Sequence, residues 1–106
     1  MYSICIFLQY MINIEVIYVY NSTLNAKTVG NVIAEFRKNK GISQEVLSGL
    51  ADIGRTHLSA IERGERKPTL ETLYRISTAL DVKMSDIVNE IENEISKQDV
   101  KSNIFK

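Results

Sequence analysis

From Thr28 onward the apolar residues recur at helical spacing, and two of the helical runs are separated by only Asp52, Ile53 and Gly54. A linker this short makes two consecutive helices cross steeply instead of lying antiparallel, and the second is left projecting a polar face outward. The first of the pair, Gln44–Ala51, has Ser43 as its N-cap and is expected to bury Leu47 and Leu50. The second, Arg55–Arg63, places Leu58 and Ile61 three apart and ends at Gly64, a residue type suited to the position after a helix. Its outward face carries Arg55, Thr56, Ser59 and His57, a small, polar, positively charged surface with no role inside its own domain.

The flanking segments complete a bundle. Val29, Val32, Ile33 and Phe36 fall at i, i+3, i+4 and i+7, which predicts a first helix over about Thr28–Lys40, stopped by Gly41. Pro68 and Thr69 form a stop and a cap ahead of a fourth helix marked by Leu70, Leu73, Ile76, Ala79 and Leu80. Asp81 stands where that helix ends, and Asp tolerates the left-handed conformation better than most residues. Met84, Ile87, Val88, Ile91 and Ile95 define a fifth helix. The expected fold class is all-α, a compact bundle of about five short helices over residues 27–95, followed by a C-terminal tail, 96–106.

Residues 1–26 form an apolar extension and polar connector. The stretch Tyr2–Tyr20 has no Lys or Arg, which argues against a secretory signal. Gln9, Asn13 and Glu15 argue against a transmembrane helix, since a carboxylate near the centre of a span costs about 2.5–3.5 kcal/mol. Membrane association is therefore not expected. Two alternatives stay open: a β-strand, from the alternation of Ile12, Ile14, Val16, Tyr18 and Tyr20, or a segment outside the folded unit, disordered or an over-long translational start. A strand would need a partner, in a hairpin or a dimer.

At 106 residues and 44% apolar the chain suits one small globular domain. Thirteen Lys and Arg balance thirteen Asp and Glu, yet bases outnumber acids from Lys27 to Lys67 and acids outnumber bases from Pro68 onward. One face can therefore meet a polyanion despite zero net charge. Cys5 is the lone cysteine, so no internal disulfide forms and a reducing, cytoplasmic setting is expected. With His57 the lone histidine, neither a cysteine-based nor a His-rich metal site is available, and no metal or cofactor is expected.

The segment SQEVLSGLADIGRTHLSAIERGERKPTLETLYRISTAL, from Ser43 to Leu80, resembles the helix-turn-helix domain of the Cro and phage-repressor (xenobiotic-response-element) family, and the likeness spans about Thr28–Ile91. The resemblance implies a lambda-repressor-like fold. It also implies a sequence-specific regulator of transcription that binds double-stranded DNA as a homodimer on an inverted repeat. Arg55, Thr56, Ser59 and Ala60 are the expected base contacts, because residues early in a helix seated in the major groove reach base edges. Ser43, Gln44, Gly54, His57, Arg63, Arg66 and Lys67 are the expected phosphate contacts. Each has a plainer reading: His57 as cover for the helix surface, Arg66 and Lys67 as a solvated charge pair. Arg37 and Glu62 match a pair that forms a buried salt bridge in the family.

This sequence departs from the family pattern in carrying Asp52 where Gly is usual, Gly54 where Ser or Thr caps the recognition helix, and Ser48 where Ala is common. Ile91 and Ile95 are expected either to contribute to a dimer contact or to pack within their own core. The rival class is a protein-interaction module on the same fold, antitoxin-like or tethered to a membrane. An enzyme is not expected, because no paired carboxylates, metal-ligand cluster, phosphate-binding Gly-rich loop or nucleophile–base pair is present.

Overall fold

The computed structural model describes residues 23–104, with side chains through Gln98, so the alternatives for the apolar segment at 1–22 lie outside the described residues. The helices are α1 (Ala26–Asn39), α2 (Gln44–Ala51), α3 (Arg55–Glu62), α4 (Leu70–Leu80) and α5 (Met84–Ile104), with no strand among the described residues.

Three helix starts are fixed by side-chain caps. Asn25 Oδ1 accepts from Lys27 N at 2.8 Å, which begins α1 two residues earlier than the apolar spacing predicts. Ser43 Oγ accepts from Val46 N at 3.1 Å, and Thr69 Oγ1 from Thr72 N at 3.1 Å. Each satisfies a backbone donor that would otherwise have no partner in the first turn. Asp52 (φ 54°) and Asp81 (φ 57°) end α2 and α4 in the left-handed conformation, so Asp52 adopts the backbone that the family pattern assigns to Gly.

The core draws on all five helices: Val29, Val32 and Ile33 of α1, Leu47 and Ala51 of α2, Leu58 and Ile61 of α3, Leu73, Ile76 and Leu80 of α4, and Ile87 and Ile91 of α5. Burial of each large aliphatic side chain contributes about 1.5–3 kcal/mol. The layering follows from which faces are apolar: α1 packs against α3 and α5, α2 against α3 and α4, and α4 against α5. One burial expectation changes. Leu50 is 64% exposed instead of buried, because α2 turns Leu47, Ser48 and Ala51 inward and leaves Leu50 on the far edge. The α5 backbone runs unbroken past Ile95 to Ile104, through the segment expected to be a tail.

Ile91 is 6% exposed within the core, and Ile95 is half-buried and packs against it. Among the described residues no helix is long and apolar enough to cross a membrane.

Candidate nucleic-acid interface

The site is built from α2, the turn Asp52–Gly54 and α3. The left-handed residue Asp52 closes α2, and the extended Gly54 (φ −67°, ψ 142°) opens α3 with no side-chain cap. Only the Leu58 and Ile61 stripe of α3 is buried; Arg55 and Thr56 are exposed and Ser59 and Ala60 half-buried, so the four expected base contacts lie together on the outward face. His57 is half-buried at the edge of that face.

Five of the seven expected phosphate contacts divide into two groups. Arg66 and Lys67 are exposed on the segment after α3 and make no ion pair among the described residues, which leaves both charges available. Others already have partners. Ser43 Oγ caps α2. Arg63 donates through Nη1 to Ser59 Oγ and through Nε to Glu65. Gln44 Nε2 donates to Glu62 Oε1 at 3.0 Å, so this amide ties the start of α2 to the end of α3. Glu65 was not singled out by the sequence reading; its only signal was a carboxylate two residues beyond Arg63.

A charged network holds α3 in place. Arg37 Nε and Nη2 donate to Glu62 Oε2 and Oε1 at 2.8 and 2.9 Å, and Arg37 Nη1 donates to the Ile42 carbonyl at 2.9 Å. Burial alone would push the Glu62 carboxyl up, but hydrogen bonds from Arg37 and Gln44, with the positive charges of Arg37 and Lys38, hold it below the ordinary carboxylate value. The Arg37 guanidinium is shifted up by its bond to Glu62, against the opposing effect of burial. The same interface contains a close contact that apolar spacing could not reveal: a Cβ on Gly30 would lie 2.2 Å from the Ile61 carbonyl oxygen, so only glycine lets α1 approach α3 this closely. A glycine in the middle of an otherwise good helix was the available signal.

A short turn between crossed helices, with the second helix presenting a polar and cationic face, defines a helix-turn-helix module. The chain matches the helix-turn-helix family (HTH_3) over residues 33–87 and belongs to that family, the Cro and phage-repressor class of DNA-binding transcriptional regulators. It is 39% identical over 62 residues to an uncharacterized HTH-type transcriptional regulator, y4dJ, of Sinorhizobium fredii, covering 58% of this chain and 80% of the relative. It is 38% identical over 66 residues to the control protein C.MunI of a Mycoplasma species, covering 61% of this chain and 89% of the relative. The crystal structure of the restriction-modification controller protein C.AhdI from Aeromonas hydrophila superposes with a TM-score of 0.59 at 31% identity, covering 61% of this chain and 98% of that one.

Proposed function

We propose that the protein is a cytoplasmic, sequence-specific transcriptional regulator that acts as a homodimer on an inverted-repeat operator, without enzymatic activity, metal or cofactor. The observation that carries this reading is the outward face of α3, where exposed Arg55 and Thr56 and half-buried Ser59 and Ala60 lie on the side away from buried Leu58 and Ile61, with Arg66 and Lys67 exposed beyond them. The major groove, about 12 Å wide, admits one such helix. Arg55 can donate its planar fork to O6 and N7 of one guanine, and Thr56 can offer a methyl to thymine. Arg66, Lys67 and the first turn of α2 face the adjoining phosphates.

One eight-residue helix reads few base pairs. Two copies place two recognition helices about 34–36 Å apart, one turn of DNA, and double the site. With Ile91 buried in its own core, the contact between copies is placed on the apolar residues that α4 and α5 leave accessible, Leu70, Tyr74 and Val88, with half-buried Ile95 beside them on α5. Restriction-modification controller proteins and a phage immunity repressor among the relatives favour control of a small genetic switch. Selection of bound sequences from a random duplex pool tests the reading. An enriched inverted repeat, bound with affinity that falls steeply as salt rises, is the expected result. Absence of any enriched sequence, with binding insensitive to salt, would favour the protein-interaction module.

A further inference from the structure

Gly64, directly after the C-cap Arg63 of α3, has φ 76° and no room for a side chain: a Cβ there would lie 2.7 Å from Lys27 Cα and 3.0 Å from Lys27 N. The first turn of α1 is therefore seated against the end of α3, although the two are far apart in the chain. Apolar spacing leaves Lys27 in the connector ahead of α1. Asn25 Oδ1 instead accepts from Lys27 N at 2.8 Å and from Thr28 N at 3.3 Å, which starts the helix at Ala26 and fixes the Lys27 backbone. Lys27 is exposed and makes no ion pair among the described residues. The charges around Gly64 do not balance. Arg63 and Glu65 pair with each other, whereas Arg66 and Lys67 follow exposed and unpaired among the described residues. Arg66 stands two residues beyond Gly64, so its Cα is at most about 7 Å from that of Gly64. Lys27 thus brings a further uncompensated cation to this end of α3 from a separate part of the chain.

We propose that Lys27 is a phosphate contact, and that the first turn of α1 and the segment after α3 together grip the DNA backbone at the end of the recognition helix. This rests on the DNA-binding reading above and adds α1 to an interface otherwise built from α2, α3 and the segment that follows. With the first residues of α3 at base edges, a helix of eight residues rises about 12 Å, which carries its last turn out to the wall of the groove, where the phosphates run. A lysine there acts as a point charge on the backbone and reads no sequence. The plainer role for Lys27 is to offset the negative C-terminal end of the α3 dipole. The two roles differ in what they change: a dipole partner acts on stability, a phosphate contact on counterion release.

The test measures affinity over a range of salt concentrations for a duplex selected from a random pool and for duplexes altered at single base pairs. It compares the full-length protein with Lys27→Gln, Lys27→Arg, Lys83→Gln and the double variant Lys27→Gln with Arg66→Ala. Lys83, an exposed lysine on the turn between α4 and α5, controls for net charge alone. Each phosphate contact contributes about 0.9 to the slope of log affinity against log salt, so Lys27→Gln should shrink the fall in affinity over a tenfold rise in salt by about eightfold per protomer. The loss should be the same factor on every duplex, absent from Lys27→Arg and Lys83→Gln, and additive with that of Arg66→Ala. An unchanged salt slope in Lys27→Gln, with or without a lower urea midpoint, would overturn the inference in favour of the dipole role. An equal loss in Lys83→Gln, or a loss confined to one base pair, would overturn it as well. A wild type whose binding shows no salt dependence would overturn the DNA-binding reading itself, which separates the two failures. The cap on α1 uses the backbone N–H of Lys27, so these variants leave it in place, and unchanged far-ultraviolet circular dichroism checks that the fold is kept.

Discussion

Glu62, at the end of α3, is gripped by Arg37 of α1 through two parallel hydrogen bonds of 2.8 and 2.9 Å, with side chains only 6% and 12% exposed. Gln44 donates to the same carboxylate from the first residue of α2. One side chain thereby joins three helices and sets the angle at which the recognition helix leaves the core. Removing one partner strands the other charge away from water, at a cost of about 3–5 kcal/mol. Glu62→Ala is therefore expected to lower the unfolding free energy by that order in urea titration. Replacing both Arg37 and Glu62 by apolar residues of similar volume should cost less than either single change, because no buried charge is left behind.

The same pair gives acid sensitivity of defined sign. The folded-state pKa of Glu62 lies below its ordinary value of 4.5. Its stabilising contribution is complete above about pH 4.5, declines as the unfolded state begins to take up the proton, and is gone once the pH has fallen through the lower folded-state value. The Arg37 shift is upward and has no effect in this range. Urea midpoints followed from neutral to acid pH should fall in the wild type, and Glu62→Gln should lack that component of the fall.

Gly30→Ala sets two effects against each other. In an unhindered helix alanine gains about 1 kcal/mol over glycine. Here its methyl carbon would sit 2.2 Å from the Ile61 carbonyl oxygen and 2.8 Å from that of Glu62, both backbone atoms that cannot rotate away. Overpacking of this kind costs about 1–3 kcal/mol and more when backbone must move. The expected outcome is a net loss of thermal stability together with weaker DNA binding, because α3 is displaced. A stability gain would show that the α1–α3 contact is looser than described.

Helix positions and most of the core were legible because the apolar stripes at 29–36, 70–80 and 84–95 repeat at the helical period and the starts of α2 and α4 carry Ser43 and Thr69. The Arg37–Glu62 pair came from family likeness, since a contact 25 residues apart has no local signature. Apolar counting missed the small residues that set helix spacing: Gly30, and the buried Thr28, Ser48, Thr72 and Ser77. It also placed Leu50 inside, because hydrophobicity fixes a residue's preference but not which edge of α2 meets α4. At the candidate interface the identities of the outward residues of α3 could be read from the chain. The bonds that engage Gln44, Ser59 and Arg63 could not, because they depend on side-chain directions set by the assembled fold.

Arg55 and Arg66 are both exposed arginines, one opening α3 and the other beyond its end, yet they should fail differently when removed. Arg55 opens α3, where a side chain reaches base edges, and a bidentate arginine–guanine contact discriminates by about 1–3 kcal/mol. Arg55→Ala is expected to lose that much at the preferred duplex, to lose little on duplexes already altered at the matching base pair, and so to relax choice at one position per half-site. Arg66 follows the helix and is a phosphate contact in the proposed complex, so Arg66→Ala should weaken binding by the same factor on every sequence and reduce the salt slope by about one per site. Anisotropy titrations on matched and mismatched duplexes at several salt concentrations separate the two. If Arg55→Ala instead lowered affinity uniformly and flattened the salt slope, Arg55 would be a phosphate contact, and sequence choice would rest on Thr56, Ser59 and Ala60.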